Sequence, residues 1–216
     1  MTAPTYKTAL VIGATGLIGN LLTHQLLESP QYETVKVLVR SPLKWKHPRL
    51  QEVTFDFERP NGLLTQADDI FCCLGTTMKK AGSKEAFKKV DYQYPLDIAR
   101  LGRESGAQQF LIVTAMGADP DSSFFYNRVK GEVERDLKAL QYPALLIFRP
   151  SLLLGNRGEN RLGERLAEGA MRLFNPLIPA RYKGIEAAKV ARAMLVTAQQ
   201  ALTGTHVYES DILQAY

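Results

Sequence analysis

The order of apolar and polar positions along the chain predicts short strands that alternate with longer helices. Apolar runs of strand length are separated by segments with apolar residues at helical spacing. Strands are expected at residues 8–12, 35–39, 53–55, 70–74, 110–113, 144–148 and 206–208. Helices are expected at residues 17–27, 83–104, 126–140, 162–174 and 186–201. Nearly continuous apolar strands alternating with helices predict a parallel sheet that is covered on both faces.

Prolines modify the alternation of strands and helices at two places. The helix at 83–104 contains Pro95, so we expect it to kink or to restart there. After Pro150 the alternation gives way to a polar loop at 155–163 and a proline-containing segment at 176–179. A length of 216 residues suits one α/β domain. We therefore expect a single domain over 1–216, with residues 151–216 forming a small extension on the substrate side.

A glycine-rich loop lies between the first strand and the first helix. Its sequence is Gly13-Ala14-Thr15-Gly16-Leu17-Ile18-Gly19. Glycines at this place allow a tight turn and a close approach of backbone to a pyrophosphate, while the helix start supplies amide donors. The loop predicts a Rossmann-type, doubly wound parallel sheet that binds a dinucleotide; the alternative is a turn with a structural role only. The candidate cofactor-binding residues here are Gly13, Thr15, Gly16, Leu17, Ile18 and Gly19.

The end of the second strand indicates which dinucleotide is bound. A carboxylate about twenty residues past the loop would bond the ribose 2′-hydroxyl of NAD(H). The chain has Arg40 there, followed by Ser41 and, further on, Lys44. A guanidinium at this point favours the 2′-phosphate of NADP(H) over NAD(H); the alternative is a surface arginine. Asp56 and Phe57, at the end of the third strand, are candidates for contact with the adenine, although Asp56 is equally compatible with a turn.

Tyr126 and Lys130 are four residues apart on a predicted helix and therefore share one face. A nearby ammonium lowers the pKa of a phenol, so Tyr126 is a candidate acid for protonating a carbonyl oxygen. Lys130 is also a candidate for bonding the nicotinamide ribose. Tyr32 and Lys36 have the same spacing, but they run into a predicted strand, which separates them. An exposed helix face is the alternative for Tyr126 and Lys130.

Composition narrows the remaining function classes. Hydrophobic residues make up 45% and charged residues 23% of a chain with net charge +5. These values are ordinary for a soluble globular protein. The densest basic patch lacks the interleaved aromatic residues of a single-strand binder, so no nucleic acid is expected. The patch consists of Lys79, Lys80, Lys84, Lys88 and Lys89, and it is interpreted as a solvated surface.

The two cysteines and three histidines predict neither a disulfide framework nor a metal site. Cys72 and Cys73 are adjacent within an apolar run, and the histidines are scattered. The first apolar stretch is interrupted by Gly13 and Gly16, so it predicts a strand and a turn rather than a membrane span. We expect a cytoplasmic protein without an integral membrane segment.

The loop at 13–19 and the Tyr126–Lys130 pair resemble the short-chain dehydrogenase/reductase superfamily, in its atypical branch. Residues 113–119, 125–126, 129–134 and 148–150 read VTAMGAD, FY, VKGEVE and FRP. These segments resemble the Tat-interacting-protein (oxidoreductase-like) family and its bacterial relatives, over about residues 7–208. The resemblance implies NADPH binding on a Rossmann core, with Tyr126 as acid/base and Lys130 as its partner.

The resemblance also implies roles for two loops and shows two departures. It places Cys73, Leu74, Gly75 and Thr76 beside the cofactor ribose, and it places Pro150 and Ser151 beside the nicotinamide. The superfamily usually has a serine after the fifth strand, where this chain has Thr114 as the candidate hydroxyl. It also has an asparagine on the fourth helix, for which Asp91 is the nearest candidate.

Two hypotheses follow from these residues. The first is an NADP(H)-dependent reductase of a small carbonyl-type substrate, with Tyr126, Lys130 and Thr114 as the catalytic group. The second is an NADPH-sensing regulatory protein that docks a protein partner with little turnover. An intact Tyr126–Lys130 pair favours the enzyme, whereas the replaced serine favours the sensor. Residues 152–180 are expected to shape the substrate pocket, whose ligand the sequence does not identify.

Overall fold

The computed structural model of the protein describes residues 6–155 and 179–216. Seven parallel strands form one sheet in the order β3-β2-β1-β4-β5-β6-β9, which confirms the Rossmann-type fold. The strands of this sheet are β1 (Lys7–Ile12), β2 (Tyr32–Val39), β3 (Leu50–Thr54), β4 (Asp69–Cys72), β5 (Gln109–Val113), β6 (Ala144–Arg149) and β9 (Gly204–Glu209). A separate pair of short parallel strands comprises β7 (Leu153–Leu154) and β8 (Ile185–Glu186).

Helices cover both faces of the sheet. They are α1 (Leu17–Glu28), α2 (Met78–Ala81), α3 (Lys84–Lys88), α4 (Tyr94–Glu104), α5 (Phe125–Ala139), α6 (Ala187–Ala198) and α7 (Ser210–Leu213). Along β1, Ala9 and Val11 pack into the apolar layer that contains α1 and α6. Leu10 and Ile12 point the other way, into the layer that contains α4 and α5. This alternation explains why β1 is apolar at every one of these positions.

The helix predicted at 83–104 is interrupted, as the proline suggested. It consists of α3, a π-helical turn at Lys89–Gln93, and α4. Pro95 lies in the first turn of α4, two residues after the π-helical turn, and proline has no N–H to continue the helical hydrogen bonds. The π-helical turn buries Asp91. Turns of this kind are frequent at functional sites.

Several bounds differ from the sequence-based expectation. β2 begins at Tyr32, three residues before the expected start, and the buried Tyr32 phenol donates a hydrogen bond of 2.7 Å to Asp69. Tyr32 and Lys36 therefore lie on one extended strand, as expected for a coincidental pair. β4 ends at Cys72, two residues before the expected end, so Cys73 and Leu74 belong to the loop that follows. The expected helix at 162–174 and most of the segment at 176–179 lie outside the described residues.

The winding of the chain reverses between β1 and β4. From β1 the sheet continues through β2 to β3 on one side, and through β4 to β9 on the other. The loops after β1 and β4 therefore diverge and leave a crevice at the carboxyl ends of the strands, which is where open α/β sheets bind ligands. Both predicted cofactor loops, at 13–19 and 73–76, lie at this crevice.

Candidate functional site

A cleft with a volume of about 1130 Å³ opens at the crevice between β1 and β4. It brings together most of the predicted site residues from four separate segments. Those in its lining are Thr15, Gly16, Leu17, Ile18, Cys73, Leu74, Gly75, Thr76, Thr114, Tyr126 and Lys130. The lining also includes Asp91, from the π-helical turn, and Glu186, from β8. The resemblance indicates Asp91 as the nearest candidate for the superfamily's fourth-helix asparagine, whereas nothing in the sequence indicates that Glu186 lies in the cleft.

Gly13 shapes the loop from behind the cleft. Its φ of +84° lies in the left-handed region that favours glycine. A Cβ at Gly13 would lie 2.6 Å from the carbonyl carbon and oxygen of Cys73, which belong to the loop after β4. A Cβ at Gly19 would clash with the carbonyl oxygen of Gly13. These two glycines therefore allow the two cofactor loops and α1 to approach one another.

Gly16, by contrast, faces the cleft at the start of α1. It is the N-cap residue of this 12-residue helix, and no side chain caps the first amides. A Cβ at Gly16 would meet the carbonyl oxygen of Gly13 at 3.2 Å and no other atom within 4 Å. An uncapped helix N-terminus without an acidic residue in its first turn suits an anion. The residues of this loop therefore fit a dinucleotide diphosphate.

The two glycines give different expected results when each is replaced with valine. Gly16→Val is expected to fold and to lose about tenfold or more in NADPH affinity, because the branched side chain would occupy the diphosphate position. Gly13→Val is expected to lower the thermal stability first, because its Cβ would meet backbone. Calorimetric titration and thermal unfolding of both variants separate these effects. Unchanged NADPH affinity in Gly16→Val would contradict the assignment of the loop.

The predicted adenine-end residues lie beyond the cleft lining, at the same edge of the sheet. Arg40 and Ser41 are exposed and directly follow β2. Asp56 accepts a hydrogen bond of 2.9 Å from the backbone N–H of Glu58, so one of its oxygens belongs to a turn. The Phe57 ring packs against Tyr94 of α4, with 5.3 Å between centroids. Whether these four residues contact a nucleotide remains a prediction.

Arg40 lies close enough to α4 to affect Tyr94. Burial raises the pKa of Tyr94 to about 12, and the hydrogen bond from its hydroxyl to Glu58 acts in the same direction. The positive charge of Arg40 acts in the opposite direction. Arg40 itself is exposed directly after β2, where the 2′-phosphate is expected.

Tyr126 and Lys130 occupy the first two turns of α5, on the face toward the cleft. Tyr126 is 39% exposed, so a ligand in the cleft can reach its phenol. The Lys130 side chain is only 5% exposed, and its Nζ lies 2.8 Å from Oδ1 of Asp91. Burial by itself lowers the pKa of Lys130, but Asp91 and, to a smaller extent, Tyr126 outweigh it, so that the pKa lies above its ordinary value. Lys130 is therefore a buried cation beside the exposed phenol.

Thr114 lines the cleft, but its hydroxyl is already engaged. It donates a hydrogen bond of 2.6 Å to Oε1 of Glu134, a buried carboxylate on α5. Arg149, at the end of β6, binds both oxygens of the same carboxylate and also pairs with Glu209 at 3.0 Å. In this arrangement Thr114 offers lone pairs, not a proton, to a ligand. Its expected role as donor to a substrate oxygen stays a prediction, and it requires the hydroxyl to leave Glu134.

A smaller pocket of about 470 Å³ adjoins the cleft and shares Thr114 and Tyr126 with it. Both Pro150 and Ser151 line this pocket rather than the main cleft. The Ser151 hydroxyl donates to the backbone oxygen of Lys183 and accepts from Ser210 at 2.9 Å. Ser151 therefore ties the end of β6 to the C-terminal residues. The rest of the pocket lining consists of Ala115, Met116, Leu152, Leu153 and Gly155.

Other reactive groups do not form a second site within 6–155 and 179–216. Burial raises the pKa of the Cys72 thiol to about 12, and both cysteines are free. Nowhere in the described ranges do three metal-ligating side chains come together. Every helix in these ranges is too short or too polar to cross a membrane.

Within the basic patch, Lys88 pairs with Glu132 at 3.0 Å and Lys89 with Glu58 at 2.9 Å.

Comparisons with known proteins identify the family to which the chain is similar. A family model described as NAD(P)H-binding matches residues 13–152. The chain is 36% identical over 197 residues to protein HTATIP2 of Rattus norvegicus, a match that covers 88% of this chain and 80% of the relative. It is 35% identical over 159 residues to the mitochondrial protein FMP52 of Saccharomyces cerevisiae, covering 70% of this chain and 68% of the relative. These matches confirm the resemblance described from the sequence.

Solved structures share the fold at low sequence identity. MoeE5 in complex with UDP-glucose and NAD superimposes with a TM-score of 0.71 at 16% identity, covering 93% of this chain and 74% of that one. The dTDP-4-dehydrorhamnose reductase from Bacillus anthracis in complex with NADP gives a TM-score of 0.66 at 16% identity, covering 96% and 76%. At such identity the likeness concerns the Rossmann fold alone.

Proposed function

Because the chain belongs to the NAD(P)H-binding family that includes HTATIP2 and FMP52, we propose that it is an NADP(H)-dependent reductase of a small carbonyl-type substrate. The observation that carries the proposal is the exposed phenol of Tyr126 beside the buried, charged Lys130 in the cleft. A phenol held near an ammonium is suited to giving a proton to a carbonyl oxygen. A bound nicotinamide would supply the hydride to the carbonyl carbon.

We assign the remaining roles as part of the same proposal. The amides at the start of α1, from Gly16 onward, would bind the diphosphate. The loop at 73–76 would pass the ribose next to the nicotinamide, and Lys130 would bond that ribose. Tyr126 would donate the proton, and Lys130 would lower the cost of forming the phenolate. The substrate would occupy the pocket between Met116 and Leu152, since Tyr126 lines both this pocket and the main cleft.

The choice of NADP(H) rests on the end of β2. Arg40 is exposed there, and no carboxylate stands in its place to bond a ribose 2′-hydroxyl. Ser41, the next residue, offers a hydroxyl to the same phosphate. We keep Asp56 and Phe57 as the candidates for the adenine side.

A second candidate function is supported by the bond between Thr114 and Glu134. Because this hydroxyl donates to a carboxylate, Thr114 does not donate to a substrate oxygen in this arrangement, unlike the serine that it replaces in the superfamily pattern. A protein that binds NADPH, docks a protein partner and turns over slowly would be compatible with such a site.

One experiment separates the two functions. The purified protein is mixed with NADPH and a panel of aldehydes, ketones and quinones, and loss of NADPH absorbance is followed. The reductase proposal predicts turnover of at least one class that depends on Tyr126. Tight NADPH binding without turnover across the whole panel would favour the sensor instead.

We also propose a single-domain organisation and a cytoplasmic location for the protein. We treat residues 1–216 as one domain whose extension, 151–216, returns to the core, because β9 pairs in parallel with β6 along six residues of each strand. The cytoplasmic location stays a prediction, since the fungal FMP52 relatives carry "mitochondrial" in their names.

A further inference from the structure

The smaller pocket differs from the main cleft in the charge of its lining. The main cleft contains side chains of both signs: Lys80, Asp91, Lys130 and Glu186. The smaller pocket has a volume of about 470 Å³, and within the described ranges none of its lining residues is charged. Its apolar side chains are Ala115, Met116, Pro150, Leu152 and Leu153. A ligand group that enters this pocket therefore exchanges water for mainly hydrocarbon surroundings.

Two of the three hydroxyl groups in the pocket lining are already hydrogen-bonded within the protein. The Thr114 hydroxyl donates to Glu134 at 2.6 Å, and the Ser151 hydroxyl donates to the backbone oxygen of Lys183. Each hydroxyl has a single proton, so neither can donate to a ligand without giving up its bond. The third hydroxyl, that of Tyr126, has no hydrogen-bond partner among the residues that the structure describes. Tyr126 is therefore the side chain that can donate to a ligand in this arrangement.

The backbone beside these side chains is also largely engaged. The Met116 N–H donates to the carbonyl oxygen of Pro150 at 3.0 Å, and proline itself has no N–H to offer. The carbonyl oxygen of Leu152 accepts a hydrogen bond of 2.9 Å from the N–H of Ile185, beside the β7–β8 pair. These walls therefore leave few vacant donors or acceptors for a polar group of a ligand.

One free donor within apolar walls favours one kind of carbonyl compound. Hydrocarbon groups on either side of a carbonyl are stabilised when they leave water. A hydroxyl group in their place would lose its hydrogen bonds to water without replacement, and a carboxylate would lose much more. The carbonyl oxygen, by contrast, exchanges a bond to water for a bond to the Tyr126 phenol.

We propose that the substrate is a ketone or aldehyde with hydrocarbon groups next to its carbonyl, and with no hydroxyl or charged group on the adjacent carbon atoms. The carbonyl oxygen would accept from Tyr126, and the hydrocarbon groups would lie against Met116, Pro150 and Leu152. The inference rests on the proposed function, because it takes Tyr126 as the donor to the substrate oxygen. It specifies the substrate class that the same site selects.

Three ketones of similar size test the pocket of the parent protein. Octan-3-one, 1-hydroxyheptan-2-one and 2-oxoheptanoate share a hexanoyl group and differ in the group across the carbonyl, which is ethyl, hydroxymethyl or carboxylate. Each is titrated calorimetrically into the protein saturated with oxidised NADP, which has no hydride to give, so that binding is measured without reduction. Octan-3-one is expected to bind about ten- to a hundredfold more tightly than the hydroxyketone. The carboxylate is expected to bind most weakly.

A charge placed in the pocket wall is expected to change this order. Leu152→Lys alters a side chain that is 56% exposed, so the fold should persist. The new cation is expected to strengthen binding of 2-oxoheptanoate about two- to fivefold and to weaken binding of octan-3-one. The matched control is Leu63→Lys, the same change at a 74% exposed leucine in the turn at Gly62–Thr65, which precedes β4 and lies away from the cleft. It should leave both affinities unchanged.

Turnover of the same three ketones with NADPH distinguishes failure of this proposal from failure of the proposed function. If the hydroxyketone or the oxo acid binds the parent protein as tightly as octan-3-one, or if octan-3-one does not bind, the proposal is overturned, whether or not any ketone is reduced. If octan-3-one binds with the expected preference but none of the three is reduced, the pocket selects hydrocarbon groups as proposed and the reductase function fails.

Discussion

Replacing Tyr126 with phenylalanine is expected to lower turnover roughly a hundredfold or more and to leave NADPH affinity nearly unchanged. The substitution removes the phenol proton and keeps the ring, which packs beside Phe87 at 5.6 Å between centroids. Turnover depends on that proton, whereas the expected diphosphate contacts are made by the start of α1. Steady-state kinetics on an accepted substrate, together with NADPH titration, measure both quantities.

The matched control is Tyr6→Phe, which removes a phenol from an exposed position just before β1, at the opposite edge of the sheet. It is expected to match the parent in turnover and in affinity. If Tyr126→Phe also matches the parent on an accepted substrate, Tyr126 is not the acid. If Tyr126→Phe loses NADPH affinity together with turnover, the phenol belongs to the cofactor site instead.

Replacing Arg40 with alanine is expected to weaken NADPH about ten- to hundredfold and to leave NADH nearly unaffected. A hydrogen bond to a charged group contributes about 1.5 to 3 kcal/mol, which corresponds to about one to two decades in affinity. The guanidinium can bond a 2′-phosphate through two N–H groups at once. NADH lacks this phosphate and gains nothing from Arg40. Arg40→Asp is expected to go further, because it adds repulsion.

The control is Arg192→Ala, which makes the same change in net charge at an exposed position on α6. It should preserve the preference for NADPH. Titrating both cofactors at low and at high salt adds a second check, since salt screens an exposed ion pair. Equal affinity of the parent protein for NADH and NADPH would refute the assignment. An Arg40→Ala variant that loses both cofactors equally would make Arg40 a structural residue.

The fold was predictable because its signals are local. Four consecutive apolar residues, Ala9 to Ile12, indicated a strand buried on both faces, and both apolar layers confirm this. The glycine spacing after β1 predicted a turn into a helix, and α1 begins at Leu17. Pro95 predicted an interruption, and α4 restarts beside it.

The arrangement within the site was less predictable because it depends on contacts between distant segments. Asp91 and Lys130 are far apart in sequence, and only the π-helical turn brings the carboxylate to the ammonium. Similarly, nothing in the pattern around Thr114 indicated that Glu134 would accept a hydrogen bond from its hydroxyl. Periodicity assigns a residue to an element and a face, but it does not specify which side chain of another element the residue will meet.

A crystal structure of the protein in complex with NADPH would show how the cofactor lies in the cleft, on which all the proposed residue roles depend. We predict the diphosphate at the amides of Gly16 and Leu17, the 2′-phosphate on Arg40, and the nicotinamide beside Tyr126 with its ribose on Lys130. A dinucleotide with its diphosphate away from the start of α1, or with its nicotinamide far from Tyr126, would contradict the account.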